Sequence, residues 1–201
     1  MLLLCFVAAE SCLTLNGQTP VFQDYGTGNQ GFSDRTHAIA RDLQFTCHGN
    51  VSGWAAYAES DGTFSTISFQ VWRLAQESIN GCRSYELVGS HRFSNITTDQ
   101  TKLLNISSVE TFGQIPIPVQ PGYVVGFYGD FSRGSRININ IQSDNSGNSL
   151  TYYESSVSSA DVDAIVEAST CEDLMNMEMG APVITAKVVQ SKYYVYTVML
   201  C

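Results

Sequence analysis

The chain has 201 residues, a formal net charge of −9 and 14% charged residues, well under the roughly 25% of an average soluble domain. Its length suits one domain with a single substantial core. The ten lysines and arginines are scattered along the chain. Because no basic cluster exists to neutralise phosphates, we expect neither nucleic acid nor an anionic membrane surface as a partner.

The N-terminus carries a short apolar run from Leu2 to Ala9, with small residues near a plausible cleavage point but without the positive leading region of a secretory signal. We expect residues 1–11 to be a short or truncated signal peptide, and the alternative is a buried first strand. The apolar stretch 191–201 is a final strand or a truncated tail. Neither end supplies the about 20 apolar residues of a membrane span, so we expect none within this chain.

Alternation of apolar and polar residues dominates the chain, and this period of two is typical of β-strands. Four such stretches come first: "DLQFTCHG" (42–49), "GWAAYAE" (53–59), "FSTISFQVWRL" (64–74) and "SYELVGSHRF" (84–93). Between the last two lies Asn80-Gly81, the dipeptide that tight hairpin turns favour most. We therefore predict that these two strands form a β-hairpin.

The stretch "PVQPGYVVGFYGD" (118–130) predicts a turn followed by a buried strand. Pro121-Gly122 has proline where φ near −65° is needed and glycine where φ must be positive. The next four bulky residues, Val124, Val125, Phe127 and Tyr128, occupy both faces of a strand, which is typical of a sandwich core. Gly126 allows a bulge or a close approach of another group.

The segment before this turn also alternates, with Ile115, Ile117 and Val119 in phase and prolines between them. Proline donates no ladder hydrogen bond, so we expect an edge strand or a lead into the turn.

Three later stretches, "RININIQS" (136–143), "SLTYYES" (149–155) and "APVITAKVV" (181–189), predict further strands. Helical spacing occurs only in "SADVDAIVEAS" (159–169), which is either a short helix or a polar loop. The chain is therefore predicted to be all-β: a single antiparallel, jelly-roll-like β-sandwich over residues 12–190, with at most one short helix.

Cysteine usage indicates an oxidising compartment. No two of the six cysteines form a CxxC pair, so zinc knuckles and redox motifs are not expected. If Cys5 leaves with a signal peptide and Cys201 belongs to a tail, the remaining candidates for disulfides are Cys12, Cys47, Cys82 and Cys171. Their three connectivities stay open. We predict at least one bridge and favour Cys47 with Cys82, which flank the strands from Trp54 to Leu74.

Three sequons, Asn50-Val-Ser, Asn95-Ile-Thr and Asn105-Ile-Ser, match the acceptor rule for N-glycosylation. With the apolar leader and the even number of remaining cysteines, they predict a glycoprotein that is secreted or displayed on the cell surface.

Catalytic and metal-binding patterns are weak throughout. The three histidines, His37, His48 and His91, have no partner at metal-ligand spacing. A nucleophile elbow is missing, and "DNSGNS" (144–149) starts like a calcium loop but lacks its glycine and glutamate. We therefore predict a protein that is not an enzyme, with no catalytic residues, no metal and no cofactor.

Aromatic residues offer the remaining candidates for binding. Trp54, Trp72, Tyr57 and Tyr85 could form a sugar-stacking platform, but their place in apolar alternation favours core packing. The exposed candidates for ligand binding are Tyr123, Asp130, Tyr152 and Tyr153.

Four stretches together, "LQFTCHGNVSGWAAYAE", "ISFQVWRL" with "YELVGS", "VQPGYVVGFYGD" and "APVITAKVV", resemble a poorly characterised extracellular module of secreted and membrane proteins from sponges and other invertebrates. The similarity covers roughly residues 40 to 190. It departs from the module's pattern at Tyr123, where an aspartate usually follows Pro-Gly. The resemblance implies a β-sandwich at the cell surface and brings no catalytic residues.

We accordingly expect a non-catalytic extracellular recognition or adhesion module that binds a protein or a glycan. The alternative is a carbohydrate-binding, lectin-like domain, which would need an exposed aromatic cluster beside Asp or Asn side chains. A hydrolase ranks third, since it would need histidine and carboxylate groups converging in one cleft.

Overall fold

The computed structural model describes residues 12–15, 36–57, 63–77, 83–98, 103–131, 139–140, 155–156, 167–169, 181–182 and 184–190. Within these residues the chain forms strands, turns and one short 3-10 helix, without any α-helix. The all-β prediction is confirmed. Most of the stretch that predicted a short helix or a polar loop lies outside the described residues, and its last part, Glu167–Ser169, is a strand.

The strands in chain order are β1 Leu13–Leu15, β2 Thr36–Phe45, β3 Gly49–Tyr57, β4 Thr63–Glu77, β5 Arg83–Thr97, β6 Leu103–Ile106, β7 Ile117–Val119, β8 Val124–Phe131, β9 Ile139–Asn140, β10 Ser155–Ser156, β11 Glu167–Ser169, β12 Ala181–Pro182 and β13 Ile184–Gln190. The 3-10 helix, Val109–Phe112, lies between β6 and β7.

Two antiparallel sheets enclose the core. The larger sheet has the order β1-β2-β8-β4-β5-β11, with β10 also paired to β2. The smaller sheet has the order β13-β3-β6, with β7 paired to the other end of β3. Apolar side chains from both sheets, such as Trp54 and Val51 of β3 and Phe69 and Phe127 of the larger sheet, form one buried cluster. This is the sandwich-like arrangement that the alternating pattern predicts.

Strands β4 and β5 form the predicted hairpin, and they pair from Thr63 and Thr97 to Glu77 and Arg83. The turn at residues 80–81 lies outside the described residues. Two cross-strand ion pairs join the outer part of the hairpin, Arg73 with Glu86 at 2.7 Å and Arg83 with Glu77 at 2.9 Å. The carboxylate of Glu86 raises the pKa of Arg73, and that of Glu77 raises the pKa of Arg83. Because these pairs are exposed to water, they add little stability.

Strand β8 is the central strand that the sequence predicts. It pairs with β2 on one side and with β4 on the other. The four bulky residues named in the sequence prediction are buried: Val125 and Phe127 are fully buried in the main core, Tyr128 is fully buried, and Val124 is 2% exposed. Burial on both faces of the strand is what its unbroken apolar run predicts.

The turn before β8 also forms as predicted. Pro121 and Gly122 are exposed, and Gly122 has a φ of 87°. The turn is held to the end of β2, because the amide of Gly122 donates to the carbonyl of Phe45 at 2.8 Å and the amide of Phe45 donates to the carbonyl of Tyr123 at 2.8 Å. The following strand therefore starts in a fixed register beside β2.

Gly126 marks a close approach across the second face of the larger sheet. A methyl group at this position would overlap the indole nitrogen of Trp72. Trp72 is fully buried there with Ile39 and Val124, and its indole N–H donates to the side-chain oxygen of Gln70 at 3.1 Å. The glycine therefore makes room for a tryptophan whose polar atom is satisfied.

One disulfide joins Cys12 to Cys47, with a Cα–Cα distance of 5.3 Å. The bridge lies beside the β1–β2 pair, in which Leu13 is opposite Phe45. The amide of Thr46 also donates to the carbonyl of Cys12 at 2.8 Å. The prediction of at least one bridge among the four candidate cysteines is thus confirmed.

The favoured pairing of Cys47 with Cys82 is wrong, because Cys47 is bonded to Cys12. The strands between Cys47 and Cys82 could bring these two residues together only if β2 and β5 were neighbours. Strand β5, which begins at Arg83, is three strands away from β2 in the larger sheet. Three strand spacings amount to about 14 Å, twice the separation of about 7 Å that a disulfide can bridge. Cys82 and Cys171 themselves lie outside the described residues.

Replacing Phe127 by alanine should lower the free energy of unfolding by about 3 to 5 kcal/mol, because a cavity would open between the two sheets. Urea unfolding of the purified variant measures the loss. Val189→Ala is the matched control, since Val189 is 55% exposed and its truncation should change stability by less than about 0.5 kcal/mol. An unchanged melting temperature for Phe127→Ala would contradict the core position of β8.

Removing the bridge with the double substitution Cys12→Ser and Cys47→Ser should cost about 4 kcal/mol, since the bond spans 35 residues and restricts the unfolded chain. Urea unfolding again measures the effect. Peptide mapping without reduction should yield a linked pair of peptides that contain Cys12 and Cys47. A linked pair containing Cys47 and Cys82 would contradict the structure.

Candidate functional site

The predicted ligand-binding residues do not form one site in the described part of the chain. Tyr123 precedes β8 and Asp130 lies near its end, so about seven residues of extended chain, roughly 20 Å, separate them. Tyr123 is half-buried and packs against the main core. The side chain of Asp130 and the whole of Tyr152 and Tyr153 lie outside the described residues.

The candidate aromatic platform is mostly interior. Trp54 is 1% exposed, Trp72 is fully buried and Tyr85 is 2% exposed, while Tyr57 is half-buried. Core packing, the interpretation favoured by the alternating pattern, is what the structure shows for both tryptophans. They present no flat surface on which a sugar ring could stack.

Trp54 instead takes part in a polar contact between the sheets. Its ring stacks on Phe69 of the larger sheet, with ring centres 5.0 Å apart and planes 15° apart. Its indole N–H donates to Nδ1 of His91 at 2.9 Å. His91 lies on β5, directly opposite Phe69 of β4 in the ladder. The smaller sheet is thereby hydrogen-bonded to the larger one through the apolar interior.

The protonation state of His91 follows from its two neighbours. Since Nδ1 accepts the hydrogen of Trp54, it carries none itself, and the second nitrogen, Nε2, donates to the carbonyl of Ile115 at 2.8 Å. Burial lowers the pKa of His91, and the Ile115 carbonyl opposes this only in part. The imidazole is therefore neutral at pH 7. With both nitrogens engaged in this way, His91 is not placed to act as a general base.

Gln114, the residue before Ile115, is also bound to β5. Its side-chain oxygen accepts a hydrogen bond from the amide of Arg92 at 3.0 Å, and its side-chain nitrogen donates to the carbonyl of Arg92. One carboxamide thus pairs with β5 as a neighbouring strand would. Together with the contact between His91 and Ile115, it fixes two successive residues of the connection between the 3-10 helix and β7.

The end of the 3-10 helix and this fixed connection carry two exposed apolar side chains, which we call the apolar tip: Phe112, 48% exposed, and Ile115, 84% exposed. Phe112 packs edge-on against Phe93 of β5, with ring centres 5.0 Å apart. Val109, at the start of the 3-10 helix, is fully buried and anchors the segment.

Ile115 is in phase with Ile117 and Val119 in the sequence but does not share their burial. Ile117 and Val119 are buried, at 5% and 2% exposure. Strand β7 begins only at Ile117, and the carbonyl of Ile115 is held by His91. The pairing of β7 with β3 agrees with the predicted edge strand.

The sequence did contain one signal for this site. His91 is in phase with Gly89 and Phe93 in an alternating strand, which places it on the inward face. A histidine in that position needs two buried hydrogen-bond partners. The roles of Phe112 and Gln114 had no comparable signal, because they depend on how a non-strand segment folds back onto β5.

All three sequon asparagines are exposed. Asn50 and Asn105 each alternate with buried neighbours, so both face outward from the smaller sheet. Asn95 lies on β5 with a φ of 54°, in the left-handed region where asparagine is among the commonest non-glycine residues. Exposure of this kind is what attachment of an oligosaccharide requires, and glycosylation stays a prediction.

A small groove of about 260 Å³ lies on the smaller sheet, at β3, β6 and β13. In the ladder, Asn105 of β6 is opposite Ala55 of β3, which is opposite Thr185 of β13. Lys187, next but one along β13, donates to the carbonyl of Ser107 at 3.4 Å. The groove thus has a small residue at its centre and polar residues on either side.

The described residues contain no group of three His, Cys, Asp or Glu side chains that could hold a metal ion. In the same part of the chain, no helix has the length and the apolar character that crossing a bilayer demands. Comparison of the whole sequence with protein-family models, with curated proteins and with solved structures gives no match. The geometry above therefore carries the functional argument.

The buried, neutral His91 predicts a loss of stability in mild acid. Its pKa is lowered in the fold, whereas an unfolded histidine titrates near 6.5. As the pH falls through 6.5, the unfolded chain takes up a proton that the folded chain resists. Stability is therefore fully present above pH 6.5 and is lost below it, by up to about 1.4 kcal/mol per pH unit until the folded pKa is reached.

Urea unfolding at pH 7.5 and 5.5 measures this loss against His91→Gln, which can still accept from Trp54 and donate to Ile115 but does not titrate. The native protein should lose more stability than the variant between the two pH values. Equal losses in both proteins would contradict the assignment of His91 as the titrating group.

Proposed function

We propose that the protein is a non-catalytic extracellular recognition or adhesion module that contacts a protein partner through its apolar tip. The observation that carries the proposal is the pair Phe112 and Ile115, exposed at 48% and 84% on a backbone that hydrogen bonds fix to β5. Single exposed apolar residues are ordinary. Two of them on one fixed segment are typical of a binding surface, where apolar anchors supply most of the affinity.

Rigidity is what separates this tip from an ordinary loop. A mobile loop loses conformational freedom when it binds, and that loss opposes association. Here Gln114 and the Ile115 carbonyl are already bonded to β5, and Phe112 already rests on Phe93. The tip is thus organised before any partner arrives.

The extracellular assignment is supported by the Cys12–Cys47 disulfide, since such bonds persist mainly in oxidising compartments. The exposure of all three sequon asparagines supports it too. The resemblance to the cell-surface module of sponges and other invertebrates points the same way. We propose that the chain is displayed or secreted as a glycoprotein.

The positions of the described candidate residues weigh against the two alternative functions. A lectin-like site would need an exposed aromatic cluster beside Asp or Asn side chains, and both tryptophans are buried. A hydrolase would need histidine and carboxylate groups converging in one cleft, and both nitrogens of the buried His91 are engaged in the interior.

Ile115→Lys should weaken partner binding strongly while leaving the fold intact, because a charge would replace the apolar anchor at an exposed position. Two assays measure binding. Beads coated with the purified domain are mixed with uncoated cells in the first assay, and with beads that carry the same domain in the second. We expect at least a tenfold loss of binding for Ile115→Lys and an unchanged melting temperature. Val189→Lys is the matched control, because Val189 is also an exposed aliphatic residue. It lies on β13, which is separated from β7 by β3.

Equal losses in the two lysine variants would argue against the apolar tip as the contact surface. A glycan array tests the lectin-like alternative. Binding to defined glycans that Ile115→Lys leaves unchanged would support the lectin-like alternative instead.

A further inference from the structure

The groove on the smaller sheet includes a sequon asparagine, Asn105, among its lining residues. Asn105 lines the groove together with Ser107, the third residue of its sequon. Ala55 is directly opposite Asn105 in the ladder, and Thr185 is opposite Ala55. Neighbouring strands are about 4.8 Å apart, so these three side chains form a row roughly 10 Å long, with the smallest in the middle.

The backbone of the sequon is held close to β3. Gly53 has no side chain, and a Cβ there would lie 2.6 Å from the carbonyl oxygen of Ile106 and 3.0 Å from that of Ser107. The amino group of Lys187 donates to the same Ser107 carbonyl. Asn105 is therefore an acceptor on a fixed strand rather than on a mobile loop, and a group attached to its side chain would emerge beside Ala55.

The size of the groove limits its occupant. Pockets for ordinary ligands measure roughly 300 to 1,000 Å³, and this groove measures about 260 Å³. A single sugar ring is of that size, whereas a longer ligand would extend into solvent. Its wall chemistry also suits a sugar ring, because the surface around Ala55 is mostly apolar and the lining includes the polar residues Thr185 and Lys187.

We propose that this groove binds the first N-acetylglucosamine of an N-linked glycan on Asn105. The inference rests on the proposed extracellular function. In the attachment step, Nδ2 of Asn105 forms a bond to C1 of a sugar carried on a lipid diphosphate. The bond from C1 to the diphosphate breaks, the lipid diphosphate leaves with the electron pair, and the amide gives up one proton. The attached ring then covers Ala55 and is held between Thr185 and Lys187.

The other two sequons provide built-in controls. Asn50 is opposite Val189 on one side and Pro118 on the other, and Asn95 lies on β5. Neither residue lines the groove. A glycan on Asn50 or Asn95 would extend into solvent, and only the one on Asn105 should add contacts to the folded state.

The experiment uses the full chain secreted from cells that attach high-mannose glycans. Mass spectrometry of glycopeptides measures the occupancy of each sequon, and thermal unfolding measures the melting temperature. Asn105→Gln should lower the melting temperature by about 2 to 4 °C, a shift typical of one lost contact in a protein of this size. Asn95→Gln and Asn50→Gln should each change it by less than about 1 °C.

Two further comparisons separate the glycan from the asparagine side chain. Ser107→Ala keeps Asn105 but destroys its sequon, so it should match Asn105→Gln, whereas Ser107→Thr preserves the sequon and should behave like the native protein. On the native protein, trimming every glycan to its first sugar should keep the melting temperature, and complete removal should lower it. Ala55→Ile fills the groove, so in that variant complete removal should have no effect.

The outcomes distinguish this inference from the proposed function. An occupied Asn105 whose removal leaves the melting temperature unchanged would overturn the groove as a sugar-binding site and leave the extracellular assignment intact. An unoccupied Asn105 beside an occupied Asn95 would do the same. A chain that is neither secreted nor glycosylated at any sequon would overturn both.

Discussion

The rest of the structure depends on the hydrogen-bonded chain from the Trp54 indole through His91 to the Ile115 carbonyl. Both rings are about 1% exposed, and a buried polar group without a partner costs about 1 to 3 kcal/mol. Neutral imidazole offers one acceptor and one donor, which match an indole N–H on one side and a carbonyl on the other. Because Trp54 and His91 belong to different sheets, this match also sets how the sheets lie against each other, with the stacked ring of Phe69 beside it.

The same series of hydrogen bonds connects the interior to the surface. The Ile115 carbonyl is turned towards His91, and Gln114 occupies both backbone groups of Arg92. These contacts hold the segment against β5 with the Ile115 side chain outside the core. A change at His91 should therefore alter the position of the apolar tip as well as stability. The proposed contact surface and the fold therefore share one polar network, and its Trp54–His91 hydrogen bond is buried where solvent cannot replace it.

Hydrophobic patterns within single segments predicted the features that depend on burial of that segment alone. Strand β8 was predictable because an unbroken apolar run has only one favourable placement, between two neighbours in a covered sheet. The Cys12–Cys47 bridge was not, since it depends on β1 pairing with β2 across 35 residues. The exposure of Ile115 was not predicted. Alternation indicates which side chains face the core, but it does not indicate which backbone carbonyl will accept a hydrogen bond from a distant histidine. The row of Asn105, Ala55 and Thr185 combines three segments far apart in sequence, so no pattern within one of them could reveal it.

The two proposed surfaces constrain each other through the smaller sheet. Asn50 and Asn105 both face outward from it, and Asn50 is opposite Pro118 of β7, three residues after Ile115. Glycans on both asparagines would cover this face and keep a protein partner away from it. The side of the apolar tip next to β5 carries Phe93 beneath Phe112, and Asn95 lies two residues farther along that strand. If all three asparagines carry glycans, a partner would approach the tip between these positions, and the glycans would then orient the partner as well as shield the sheet.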